Sequence, residues 1–298
     1  MSNIELSYDH YIVIKDNVVT GSSLPSNVSF NENTLTFEIG APISLHVILI
    51  YENTKIHYDF KDHVHAEIIE SRACHAGGRL EREISLGKDA HVNMFNEIVS
   101  DENNELQFID EGSLDENALL QIGYNELSDN IIDGQYHFKL TGEGAQAKVR
   151  MAMLSRKDEK KHYCVHIEHL ARHTTGIMDN YGVVKDEARL TVDGIGTINK
   201  GYNGSVAHQT NKIIVFDEKC QASANPYLYI DEYDVTASHA AAVGKMDEDH
   251  LYYLQTRGLT KRQAMQLITY GYLEPVIHVV DNEMLQERFQ EALAKVGA

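Results

Sequence analysis

The stretch YLYIDEYDVTASHAAAVGKMDEDHLYYLQTRG, residues 227–258, decides the fold. Its first residues, Tyr227 to Ile230, have the composition of a β-strand, whereas beyond Gly244 the acidic run Asp247 to Asp249 opens a helix that Arg257 and Gly258 close. Acidic side chains are favoured beside the partial positive charge of a helix N-terminus, and a glycine just past the last turn takes the left-handed conformation that ends it. The chain therefore changes period here, and the change is expected across the Ser238-His239-Ala240-Ala241 step.

Upstream of this border, from about Leu35, short strand candidates follow one another between Gly, Asn and Asp turns. Leu35, Phe37 and Ile39 alternate with Thr34, Thr36 and Glu38, the period of two of a half-buried strand. Ile43 to Tyr51 is more continuously apolar, as in a strand covered on both faces. Further strands are expected at 64–69, 80–86, 91–98 and 135–140, then at 147–154, 163–170, 188–192, 212–216 and 227–230. The last five begin roughly 15 to 25 residues apart, which suits successive coils of a solenoid. A β-sandwich would show closer strands joined by a series of Asn-Gly or Asp-Gly hairpins, and the chain has no such series. The expected fold is mainly β, a parallel β-helix over residues 1–244 followed by a small helical domain over residues 245–298.

In that tail a second helix starts at Thr260, with Gln263 three residues on completing a capping box, and is expected to end at Gly271. Glu274-Pro275 breaks the chain, and a last helix from about Asn282 sets Leu285, Phe289, Ala292, Leu293 and Val296 on one face. A unit of about 50 residues is marginal alone, so it should dock on the β domain, on a partner or on both.

The balance of 26 basic against 45 acidic residues gives a formal charge of −19, which repels phosphate backbones and anionic lipid surfaces, so neither nucleic acid nor membrane is an expected partner. The N-terminus lacks a basic segment followed by an apolar one, no apolar run is long enough to span a bilayer, and a cytoplasmic location is expected. Cys74, Cys164 and Cys220 lie far apart with no Cys-x-x-Cys pair, which argues against a disulfide framework, a closed zinc site or a permanent four-cysteine cluster within one chain.

Several segments carry a resemblance in order and in register: IEHLARHTTG (167–176), GVVKDEARLTVDG (182–194), AHQTN (207–211), DVTASHAAAVG (234–244), LYYLQTRGLTKRQA (251–264) and GYLEPVI (271–277). Together they resemble the SufB/SufD family of the Suf iron–sulfur cluster assembly system. The resemblance implies a right-handed parallel β-helix with a C-terminal helical domain that binds a SufC-like ABC-type ATPase. It also implies a scaffold without catalytic turnover of its own, pairing with a second family chain and holding an iron–sulfur cluster transiently rather than as a permanent cofactor. Family members of ordinary length carry a helical region before the β-helix, whereas this chain enters strand-like sequence almost at once, so a short form is expected. Ser238-His239 followed by Ala240 resembles the SufD-type Ser-His-Gly step, and Thr210 stands after Gln209 where SufB-type chains carry a reactive cysteine. The resemblance therefore implies either a heterodimer with a SufB-like paralogue that supplies the cysteine, or a homodimer in which Cys220 replaces it.

On the resemblance His239 is the interface histidine implicated in cluster formation, and a neutral imidazole is a competent iron ligand. Cys220 lies about one coil earlier, and stacked rungs would bring its thiolate, a soft ligand, near that imidazole. His208, in AHQTN, is a supporting candidate. Leu251, Tyr252, Tyr253, Leu254, Arg257 and Gly258 form the expected ATPase-facing helix, although consecutive apolar residues cannot all face one way, so some should turn inward. Cys74 and Cys164 are expected to fill the interior. His63 and His65 would share one face of a strand while His166 and His169 would not, so these histidines, with His173, are read as solvated or interface groups. Two other functions compete: a β-helix enzyme acting on polysaccharide, for which no converging acids and bases are visible, and a purely structural partner of a SufB-like subunit.

Overall fold

A computed structural model describes residues 4–100, 103–280 and 282–296. The chain opens with two antiparallel hairpins, β1 (Tyr11–Lys15) with β2 (Val18–Ser23) and β3 (Val28–Asn31) with β4 (Thr34–Phe37). Each turns through two residues at positive φ, Asp16-Asn17 and Glu32-Asn33, the backbone of a tight hairpin turn. Then follow β5 (Ile43–Ile50), β6 (Asn53–Phe60), β7 (His65–Ala73), β8 (Gly78–Leu86), β9 (His91–Ile98), β10 (Glu105–Leu114), β11 (Leu119–Glu126) and β12 (Ile131–Leu140). The series continues with β13 (Gln146–Ser155), β14 (Lys160–His169), β15 (Thr175–Val184), β16 (Arg189–Ile198), β17 (Val206–Val215), β18 (Gln221–Ile230) and β19 (Thr236–Lys245).

From β5 onward, consecutive strands go to opposite sheets and each pairs in parallel with the strands two places before and after it, β5 taking β1 on its earlier side, so the chain winds as a two-sheet parallel β-solenoid. Each coil therefore holds two strands, and the true repeat is longer than the strand spacing read from sequence. It shows in a column of left-handed corner residues, His63, Asp89, Asn117, Gly144, His173 and Gly204, each of whose N–H groups bonds a carbonyl of the next coil. His63 thus sits at a corner rather than beside His65 on a strand face.

Side chains alternate between a sealed lumen and the outside. Val149, Met151, Tyr163, Val165, Leu190 and Val192 are among the fully buried lumen residues, and burying each large one contributes about 1.5–3 kcal/mol. The early coils add a buried ionic layer. Arg82 donates to both oxygens of Asp110, to Glu70 Oε1 at 2.8 Å and to Asn96 Oδ1 at 2.6 Å, while Arg72 Nε holds Glu70 Oε1 at 2.8 Å and its guanidinium lies over the Phe108 ring. Cys74 joins the lumen core, but Cys164 lies between lumen-facing Tyr163 and Val165, on the outer face and partly exposed.

The helical tail is an arm folded back over the ten-stranded sheet. The Ser-His-Ala-Ala step lies within β19, and helix begins only at α1 (Glu248–Thr256), where Asp247 caps the first turn. Gly258 closes it at φ +95°, and Thr260 and Gln263 form the capping box of α2 (Lys261–Leu273), which runs through Gly271 instead of ending there. A 3₁₀ turn over Glu274–Val279, with Pro275 in its first turn, leads to α3 (Glu283–Val296). Leu273, Val276, Ile277, Leu285, Phe289 and Leu293 bury themselves against Ile69, Phe95, Ala152, Leu154 and Val183 of the sheet's outer face. Val296, expected on the same face of the last helix, has its side chain outside the described residues.

Candidate functional site

The two ends of the solenoid differ. At the N-terminal end, hairpin strands β2 and β3 are the outermost strands of the two sheets, whereas at the other end the outermost strands are β18 and β19. The last coil is open: every residue of β19 except Ala237 is exposed, and in β18 Tyr227, Tyr229 and Ile230 are 42%, 58% and 38% exposed. An outermost strand presents unpaired backbone N–H and C=O groups to any chain that can align with it.

His239 sits on this edge. It lies in register with Gln209 of β17, as Ser238 does with His208 and Ala240 with Thr210. Gln209 is 2% exposed and faces the lumen, so His239 belongs to the same inward column and is exposed only because no further coil covers it. Below it Gln209 Nε2 donates to the Tyr227 carbonyl at 3.0 Å, spanning the lumen and tying the final two coils together. Gly194 and Gly196 make this crossing possible: a β-carbon on either would stand 3.1 Å from Gln209 Oε1 or 2.9 Å from Gln209 Nε2. On the outer face His208 Nδ1 meets Ser238 Oγ at 2.7 Å. His208 and His239 therefore flank the edge strand pair on opposite faces.

Cys220 is not brought to His239. It precedes β18, in the opposite sheet, and shares a surface cleft with Val215, Asp217, Glu218 and Val243–Lys245. Val243 lies four residues beyond His239, about 13 Å along the strand. Stacking on one rung fails because successive strands alternate between sheets. Burial pushes the Cys220 thiol up, and the Asp217 and Asp186 carboxylates add to this, which disfavours thiolate. Among the described residues no group of three or more His, Cys, Asp or Glu side chains is arranged to hold a metal ion. Instead His137 stacks on His166 at 4.4 Å, His65 meets His91 edge to face at 4.9 Å, and His169 is buried against Thr174.

On the arm, Tyr252 and Tyr253 are 69% and 55% exposed, with Arg257 over the Tyr253 ring, and Gly258 is also exposed. Leu251 is buried and Leu254 half-buried, since one helix cannot turn four consecutive side chains outward. Leu267 of α2, 50% exposed, is a further large apolar side chain on the surface of the arm. It escaped sequence reading because it is a single leucine among the polar positions of an otherwise ordinary amphipathic helix.

Fold and site together define a parallel β-solenoid subunit with one open end and a helical arm. The chain belongs to the SufBD core family: the family model described as SUF system FeS cluster assembly, SufBD core domain, matches residues 41–272. It is 36% identical over 157 residues to the iron–sulfur cluster assembly protein SufD of Bacillus subtilis, covering 53% of this chain and 35% of that protein. The SufB protein of the same organism is 27% identical over 153 residues, covering 48% of this chain and 33% of SufB. The SufD protein of Escherichia coli is 24% identical over 159 residues, covering 53% and 37%. The alignments thus span about a third of the length of these relatives. Among the described residues no helix is long and apolar enough to cross a membrane.

Proposed function

We propose that this chain is a non-catalytic scaffold subunit of a Suf-type iron–sulfur cluster assembly complex, working with an ABC-type ATPase. The observation that carries the reading is that a family core domain combines an open β-edge bearing His239 with an arm bearing exposed large apolar side chains. The edge of β18 and β19 suits pairing with a second copy or a SufB-like paralogue, since backbone groups left free there can extend a sheet across two chains. His239 would then serve as a neutral imidazole ligand for a transient cluster, with the partner completing its coordination. Tyr252, Tyr253, Arg257 and Leu267 would meet the ATPase, because aromatic and arginine side chains supply large contact area and dominate many interfaces.

Anaerobic co-expression with the ATPase of the same system tests this reading. A stable complex that Tyr252→Glu together with Leu267→Glu abolishes, while the thermal transition of the isolated protein is unchanged, is the expected result. Retention of the ATPase by the double variant would overturn it. A purely structural role in a heterodimer is the second reading, and it rests on Thr210, which offers no thiol beside Gln209.

A further inference from the structure

The first described residues of the chain and its last helix are tied to the same point on the solenoid. The Ser7 backbone N–H donates to His46 Nδ1 at 3.1 Å. That assigns the lone pair to Nδ1 and the ring proton to Nε2, which meets Ser71 Oγ at 2.9 Å. Ser71 Oγ donates onward to Glu97 Oε1 at 2.6 Å, and Arg288 of α3 reaches the same carboxylate oxygen at 3.0 Å. Arg288 then turns back to Ser7 Oγ and, at 3.4 Å, to the Glu5 carbonyl. The hydrogen bonds form a closed ring through Ser7, His46, Ser71, Glu97 and Arg288. Asn282 reinforces it: its Oδ1 caps the first turn of α3 by accepting from the Met284 and Leu285 N–H groups, while its Nδ2 donates to the Ser7 carbonyl at 3.3 Å.

His46 and Ser71 are fully buried, and Glu97 nearly so. Apolar contacts of Leu285, Phe289 and Leu293 hold α3 to the sheet, but such contacts are non-directional and would tolerate sliding. The ring fixes one seating, because removing any member strands a buried charge or donor. The arm is otherwise joined to the solenoid covalently only after β19, five strand spacings from β9 in the ten-stranded sheet, or about 24 Å.

We propose that this ring is a latch: residues 5–8 and α3 seat and release together as one cooperative unit, so the arm's position is set from the early coils of the solenoid. The latch does not depend on the arm's partner, and it is tested on the protein alone.

Hydrogen–deuterium exchange by mass spectrometry on the intact chain provides the test. Arg288→Ala is expected to raise exchange about tenfold or more in residues 5–10 and in α3 together, leaving β11 to β17 at wild-type protection. Glu97→Gln, which keeps the shape but leaves Arg288 without its counter-charge, should loosen the same two segments. Ser7→Ala, a change too small to unfold the solenoid, should give a weaker response with the same pairing. Faster exchange in α3 while residues 5–10 stay protected, or no change in either segment, would overturn the latch. The ATPase reading would survive that outcome, since it rests on the exposed residues of α1 and α2.

Discussion

Arg82 and Asp110 face each other inside the solenoid from strands of adjacent coils, Nε donating to Oδ1 at 2.8 Å and a second nitrogen to Oδ2. Both side chains are fully buried, and Tyr124 donates to the same carboxylate at 2.6 Å. The pair is a condition for the early coils to close rather than a net source of stability, because desolvating two ions offsets most of their attraction. Asp110→Asn removes the counter-charge and leaves Arg82 with Glu70 alone. Urea unfolding should show a loss of about 3–5 kcal/mol, and a loss below 1 kcal/mol would mean that the layer is not organised around this pair.

Acid should destabilise the fold before most carboxylates are protonated. Burial pushes His46 down to about 3, with Arg288 adding to it, and burial holds His169 at about 4. Both rings are neutral when folded, and in the unfolded chain they regain a pKa near 6.5. At these two sites the unfolded state binds more protons below pH 6.5, so their contribution is full above that value and falls as pH drops towards 4, by about 1.4 kcal/mol per pH unit for each ring, while Glu97, Glu126 and Glu159, whose carboxyls burial pushes up, act in the opposite sense. Asp110, which burial alone would raise but Arg82 holds below the usual range, adds loss of the same sign as the two rings at lower pH. His169→Gln should flatten the slope between pH 6 and 5 by about one ring's worth, and an unchanged slope would show that this ring titrates normally.

His239 and Cys220 should separate functionally. His239→Ala removes an exposed ring and should leave the thermal transition within experimental error while lowering the yield of cluster assembled anaerobically by the intact complex. Cys220→Ser should leave that yield unchanged, given its raised thiol pKa and its place in the turn before β18. Cluster content measured by iron and sulfide analysis decides the matter. The reverse ranking would move the assembly site to the cleft beside Val243.

Pairing through the last coil predicts a mass change. Ala240→Lys places a long charged side chain on the outermost strand, a device by which edges resist joining. Where the partner is a second copy, light scattering should report the mass of one chain for the variant and of two for the unmodified protein. Retained pairing would locate the interface elsewhere.

Strands with an inward apolar run, such as Ala147 to Met153 in β13 and Tyr163 to Ile167 in β14, were legible in the sequence, as were the cap at Thr260 and the stop at Gly258. β10 and β11 were hidden because Asp110 and Glu126 occupy inward positions, and only the lumen's ionic layer makes an inward carboxylate tolerable. β15, with an inward Asn180, and the alanine-rich β19 were missed for want of alternation. The edge position of His239 could be anticipated from the family resemblance, but its register over Gln209 depends on the length of a whole coil. No local pattern encodes that length. Cys220 was misplaced for the same reason, since a coil proved to be two strands in two sheets.

The two ends of the solenoid are unlike, antiparallel hairpin strands at one and parallel strands at the other, so how two chains meet decides how far an assembly can grow. A contact between unlike ends repeats from unit to unit and builds a fibre, whereas a contact between like ends closes after two chains. Pairing through β18 and β19, as proposed, is a contact between like ends, and the β2 and β3 hairpins would then face outward at both ends of the pair.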